Sequence, residues 1–275
     1  MTNFRADRGY PELMNSSRGQ LRRRGEGAGC QKSKKPKRKS TVEQIFTIPV
    51  NEEFDTCRDD SSCGCPICRL YRRLQRDELD IILGASMMEP DIRIMTNEQG
   101  FCGRHYEMML TRKRMLGMGL ILESHLAEVN KKIAAKSLLG LPSAASLPKI
   151  SALNSSCYVC GRIEKNLNAM ISTVVYLYEN EDDFRVKFSK QPYFCLPHYE
   201  SMLSYASKKM NKKLFKEFFD AAQKIEKSYA EALNGDVSWF CKKFDYNYEN
   251  EPWYNSKDSV PRAVKFLTGD TRDDY

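Results

Sequence analysis

Apolar residues recur along this chain at three- and four-residue spacing, which predicts helices and no convincing alternating strand. Leu70, Leu74, Leu79, Ile82 and Leu83 form one stripe over residues 69–83, stopped by Gly84. Glu89-Pro90-Asp91 opens a short second helix, because proline suits a first turn and an acid suits a helix N-terminus. Gly100 ends it, and a third begins at residues 102–105 and runs through Tyr106, Met109 and Leu110. A long stripe follows over residues 120–139, with Gly117 and Gly119 expected to break it from what precedes.

The second half repeats this plan. Ile163, Leu167, Met170 and Ile171 run on into Val174 and Tyr178, Glu181-Asp182-Asp183 opens a short helix, and His198, Tyr199, Met202 and Leu203 start another. A last amphipathic helix covers residues 212–233 through Leu214, Phe218, Ala222, Ile225, Tyr229 and Leu233. Residues 42–54 are expected to form an extended lead-in broken by Pro49. The fold class is all-α: two tandem repeats, each a zinc knuckle with about three helices, followed by a C-terminal helix and an aromatic-rich segment.

Within that pattern sits the chemistry. Two of the three histidines occur in the same phrase, Phe101-Cys102-x-x-His105 and Phe194-Cys195-x-x-His198, and each has a Cys-x-x-Cys upstream, Cys65 with Cys68 and Cys157 with Cys160. The intervals between the paired phrases are 33 and 34 residues, so one unit is written twice with a single-residue slip. Asp91 and Asp183 each lie 26 residues after the first cysteine of their unit, agreement away from the ligands that favours duplication of a fold. Three cysteines and a histidine suit zinc, whose structural sites fill all four tetrahedral positions with protein. The expectation is two structural zinc ions, one per half: Cys65, Cys68, Cys102 and His105 on the first, Cys157, Cys160, Cys195 and His198 on the second. Cys63, two residues before Cys65, is the alternative ligand there. Cys30, Cys57, Cys63 and Cys241 have no spaced partners and read as free thiols. His125, on an apolar helix, reads as a core or surface residue.

Charge changes the picture only at one end. The chain carries a formal +8 over 275 residues, yet residues 1–40 hold twelve Lys or Arg against three acids, leaving 32 basic and 33 acidic residues for the rest. A Gly-, Ser- and Pro-rich basic stretch without apolar periodicity cannot offset the entropy of ordering, so residues 1–40 are expected to form a disordered tail. The expected divisions are 1–40 tail, 41–139 first repeat, 140–155 linker, 156–236 second repeat and 237–275 an aromatic segment. That segment, with Trp239, Phe244, Tyr246, Tyr248, Trp253 and Tyr254, is expected to pack on the body, with a recognition surface as its alternative. No apolar run spans a bilayer and no signal peptide is evident, which points to the cytoplasm.

Phe46-Thr47-Ile48-Pro49-Val50-Asn51, Cys65-Pro66-x-Cys68-Arg69-Leu70, Gly100-Phe101-Cys102-x-x-His105, Cys157-x-x-Cys160, Phe194-Cys195-Leu196-Pro197-His198, Phe244-Asp245-Tyr246 and Glu251-Pro252 together resemble a bacterial family of uncharacterised cytoplasmic proteins, over residues 42–269. Members are sometimes labelled substrate-binding components of ABC transporters, a label that nothing in this sequence supports. The resemblance implies a shared fold and shared metal ligands but no function. Typical members carry His-Asp-Tyr where this chain has Phe244-Asp245-Tyr246, so no role for that histidine transfers. The expected function is that of a non-catalytic zinc-binding helical protein that engages another macromolecule, protein before nucleic acid. The alternatives are nucleic-acid binding through the tail or knuckles, and a thiol-redox or metal-dependent enzyme.

Overall fold

A computed structural model describes residues 41–134, 144 and 147–270. Among them lie eleven α-helices and no strand, as the periodicity predicts: α1 (Thr41–Asp59), α2 (Pro66–Ile82), α3 (Pro90–Gln99), α4 (Gly103–Thr111), α5 (Met115–Ile133), α6 (Leu147–Ser155), α7 (Tyr158–Asn180), α8 (Asp182–Ser189), α9 (Leu196–Lys209), α10 (Lys212–Lys242) and α11 (Ser259–Thr268). The expected tail and Cys30 lie outside the described residues. The four helices α2 to α5 and the four helices α7 to α10 follow the same order. Asp91 and Asp183 occupy the second position of α3 and α8, where an acid meets the positive end of the helix dipole.

Several expectations are corrected. Residues 42–54 are not extended but belong to α1, with Pro49 inside the helix. An internal proline costs about 3 kcal/mol. Against this, α1 wholly buries Val50 and Phe54 against α7 and α2, each worth roughly 1.5–3 kcal/mol, and Cys57 besides, so burial overrides the breaker. Gly117 and Gly119 do not break a helix, since α5 starts at Met115 and runs through both. Residues 147–155 of the expected 140–155 linker form α6, which packs on α5 and α3, and residues 140–143, 145 and 146 lie outside the described residues. Helix α10 continues to Lys242, past the boundary expected at residue 236.

The core joins the two halves. Phe54 of α1 meets Phe184 at 5.1 Å between ring centroids, Phe188 stacks on Phe194 at 5.0 Å, and Tyr178 meets Phe218 edge-on at 4.9 Å. Helices α1 and α2 both pack along α7, so the N-terminal half of the chain supplies two walls of the core around α7. Of the C-terminal aromatics, Phe244, Tyr246 and Tyr254 stay exposed; Phe244 meets Phe240 edge-on, and Trp239 is edge-on to Tyr248 and Tyr254. Docking of this segment is done by α11, whose Phe266 packs on Tyr193 and Tyr229.

Candidate metal centres

Each Cys-x-x-Cys or Cys-x-x-His phrase sits at a helix start. Cys65, Cys102, Cys157 and Cys195 are the N-caps of α2, α4, α7 and α9, and each backbone carbonyl accepts the first helical bond, at 3.3, 3.0, 3.0 and 2.9 Å. The second ligand of every phrase falls on the third helical residue: Cys68, His105, Cys160 and His198. A cap side chain reaches back over the first turn toward the third residue, so this spacing aims both donors at one point. Four N-termini also present their positive dipole ends and free N–H groups to the sulfurs, which favours the thiolate form.

The two phrases that meet at each point come from opposite halves, which corrects the expected grouping. Cys65 and Cys68 lie with Cys195 and His198, and Cys102 and His105 lie with Cys157 and Cys160; within each quartet all donor atoms fall within 4.8 Å of one another. In the first, His198 Nδ1 stands 3.7, 3.4 and 3.1 Å from the sulfurs of Cys65, Cys68 and Cys195, and Cys68 Sγ is 3.5 Å from Cys195 Sγ. In the second, His105 Nδ1 stands 3.2, 3.3 and 3.4 Å from Cys102, Cys157 and Cys160, with Cys102 and Cys160 sulfurs 3.9 Å apart. A tetrahedral ion with metal–sulfur bonds of about 2.3 Å sets its sulfurs about 3.8 Å apart, so both quartets match the spacing of a four-coordinate site. Both can hold a metal ion. The first is wholly buried; the second is half-open, with Cys160 exposed.

His105 and Cys65 are shifted toward the forms that bind a cation, whereas three crowded thiols hold their protons more tightly. Burial, then the Arg104 guanidinium, pushes His105 down to about 4, which leaves a neutral imidazole at neutral pH. Burial and the sulfurs of Cys157 and Cys102 push Cys160 up to about 12. Hydrogen bonding to Cys195 and Cys65, then burial, raises Cys68, and a hydrogen bond to Cys65 raises Cys195. Cys65 goes the other way: burial opposes its ionisation, but hydrogen bonds from Cys195, Cys68 and His198 outweigh that. Sulfurs this close hold protons against mutual repulsion, and a divalent cation is what would displace them.

Neighbouring groups hold the ligands in place. The fully buried Gln75 carboxamide lies 2.9 Å from His105 Nε2 and also takes a hydrogen bond from Arg104. Nδ1 faces the sulfurs, and the Gln75 amide nitrogen lies against the opposite ring nitrogen, a contact that fixes the orientation of the ring. At the buried quartet the Asp270 N–H donates to Cys68 Sγ at 3.2 Å, and the Asp270 carboxylate is clamped by Arg72 at 2.7 Å. The buried Glu226 accepts the Phe194 N–H at 2.7 Å, one residue before Cys195. Gly100 sets the entry to the half-open quartet. Its φ of +59° with ψ of −157° is a combination open to glycine alone, an added Cβ would lie 3.0 Å from the His125 ring, and its carbonyl accepts the Tyr158 N–H at 3.0 Å. His125 is a satisfied core residue, donating from Nδ1 to the Asn97 carbonyl.

Sequence reasoning missed Gln75, Glu226 and Asp270, and no motif marks them. It also misread two cysteines: Cys57 and Cys63 are joined by a disulfide across the turn between α1 and α2. A five-residue gap over a turn capped by Asp60 was the available signal. Cys63 is therefore not a substitute for Cys65. Cys241 is free and exposed.

Among the described residues no helix is long and apolar enough to cross a membrane. No curated protein and no solved structure matches the chain. A family model, described as a family of unknown function (DUF6062), matches residues 41–274, a span that begins with α1 and contains all eight donors. The chain belongs to this family.

Proposed function

We propose that both quartets hold zinc as structural ions and that the protein is a non-catalytic, cytoplasmic helical scaffold that works by binding another macromolecule, most favourably a protein. The observation that carries this is the donor geometry: three sulfurs and one imidazole at tetrahedral spacing, delivered by two opposed helix N-termini, fill the coordination sphere and leave no position for a substrate. Each ion with three thiolates carries a net −1, which the dipole ends offset at both quartets and the Asp270 N–H at the buried one. The test is metal analysis with thermal melts. The expectation is two zinc ions per chain and a large loss of helical signal on complete chelation; a metal-free chain with an unchanged melt overturns the proposal. Rapid alkylation of Cys65 or Cys157 in zinc-loaded protein would favour a thiol-redox enzyme instead.

A second function, nucleic-acid binding, draws on one observation. Lys208, Lys209, Lys212 and Lys213 are all exposed around the turn between α9 and α10, next to a helix N-terminus, and phosphate backbones reward such clusters by counterion release. Salt-sensitive binding of single-stranded RNA that is lost when the four lysines become glutamine supports it; binding that survives the change counts against it.

A further inference from the structure

A cavity of about 680 Å³ opens between the 61–64 turn, the lead-in to α9, and helices α10 and α11. Its size falls within the roughly 300–1,000 Å³ of small-molecule sites. Tyr193 and Tyr229, stacked at 4.0 Å between ring centroids, give it an apolar wall, and Cys63 of the disulfide lies on the lining as well. Gly64 keeps the lining beside Cys63 bare: its φ of +83° with ψ of −149° is open to glycine alone, and an added Cβ would lie 3.3 Å from the Tyr193 hydroxyl. The two sulfurs differ in access. Cys57 is 1% exposed and is not on the lining, whereas Cys63 is half-buried and is.

Charge on the lining is unevenly shared. At the C-terminal end of α11 two cations serve one carboxylate, since Arg72 holds Asp270 at 2.7 Å and Lys265 reaches the same oxygen at 3.2 Å. At its N-terminal end one cation serves two carboxylates, since Arg262 holds Asp236 at 2.9 Å and Asp258 at 3.0 Å. The cavity is thus left with a surplus cation at Lys265 and a surplus anion at Asp258, their side chains 42% and 63% exposed. Seven residues separate the two, about 10 Å at a helical rise of 1.5 Å per residue. A tripeptide with free ends reaches about as far, at roughly 3.3–3.6 Å per residue.

We propose that Cys63 is a site of reversible thiolation, and that the cavity takes a short peptide thiol with its ammonium toward Asp258, its carboxylate toward Lys265 and its central sulfur at Cys63. The peptide thiolate attacks Cys63 Sγ and forms the new S–S bond. The Cys57–Cys63 bond breaks, and its electron pair leaves with Cys57, which takes up the proton that the peptide thiol has lost. One disulfide replaces another, so the exchange needs no further oxidant or reductant. Attack by Cys57 on the mixed disulfide expels the peptide and restores the clasp.

The zinc-loaded full chain is treated with the peptide Gly-Cys-Gly or with its N-acetylated, C-amidated form at equal thiolate concentration, then quenched, alkylated and mapped by mass spectrometry. The expected result is a peptide adduct on Cys63 with Cys57 alkylated, formed several-fold faster with free ends than with blocked ends. Lys265→Gln and Asp258→Asn are each expected to reduce that preference, while the rate with 2-mercaptoethanol, which carries neither charge, and the zinc content stay unchanged. Cys57→Ser, offered the symmetrical disulfide of the peptide, is expected to hold the adduct on Cys63 permanently. An adduct on Cys57, equal rates for free and blocked peptides, or a preference that survives both charge substitutions overturns the proposal. So does a chain in which Cys57 and Cys63 stay unpaired in air, or a Cys57→Ser chain that remains unmodified.

Discussion

The exchange of ligands between the halves predicts a pattern of metal counts that no within-half arrangement can imitate. Cys68→Ser and Cys195→Ser each remove one donor of the same quartet, so each leaves one ion per chain, and combining them still leaves one. Cys68→Ser combined with Cys102→Ser, two changes within one half of the sequence, removes both ions. If each half bound its own ion, these outcomes would be reversed. Stability should follow the same logic. The link between Cys68 and Cys195 spans 127 residues, and closing a loop of that length constrains the unfolded chain by about 5 kcal/mol in the chain-entropy treatment. The link between His105 and Cys157 spans 52 residues and is worth about 4 kcal/mol on the same scale. Either Cys68→Ser or Cys195→Ser should therefore cost at least about 5 kcal/mol in denaturant melts, with the double variant no worse than the single. The cross-quartet double should cost slightly more than the sum of the two singles, because each clip shortens the loop that the other closes. Mass spectrometry under native conditions counts the ions directly. One ion left in Cys68→Ser/Cys102→Ser, or none in Cys68→Ser/Cys195→Ser, refutes the exchange.

Three further outcomes follow from the surroundings of the quartets. Gln75→Leu should weaken metal binding at the half-open quartet by about 10–100-fold, by competition with a chromophoric chelator, and leave the buried quartet unchanged. Gly100→Ala should cost about 1–3 kcal/mol in urea melts, from a strained φ and the approach to His125, and should cost less in a His125→Ala background. Burial, only partly opposed by the Phe194 N–H, raises Glu226 to about 8, so the folded protein holds this proton more tightly than the unfolded chain. Its contribution is therefore present below the ordinary carboxylate range and fades as pH rises toward 8. Glu226→Gln should flatten that part of the stability–pH curve, and an unchanged slope would remove Glu226 as its source.

Much of the fold was legible because helix periodicity and the helix-start chemistry of Cys65, Cys102, Cys157 and Cys195 are local properties of the chain. The eight donors were found the same way, as phrases of four residues. Their partnering was not, because phrases with 33 and with 126 residues between them carry the same local signal, and only the packing of α1 and α2 along α7 decides which meet. Pro49 misled for a related reason: its local cost is visible in sequence, while the burial of Val50 and Phe54 that outweighs it is tertiary. Asp270 acts through its backbone N–H on Cys68, a role that any residue type except proline could fill and that leaves no trace in composition.

The half-open quartet draws its donors from residues 102–160, an interval wholly enclosed by the 65–198 interval of the buried one, and this nesting imposes an order of assembly. During synthesis the inner clip is complete before the last two donors of the outer one leave the ribosome. Once closed, it short-circuits the path between Cys68 and Cys195, so the outer clip closes a shorter effective loop and forms more readily. Metal loading should accordingly be sequential, inner ion first, with Cys65 and Cys68 standing as waiting thiols until His198 arrives.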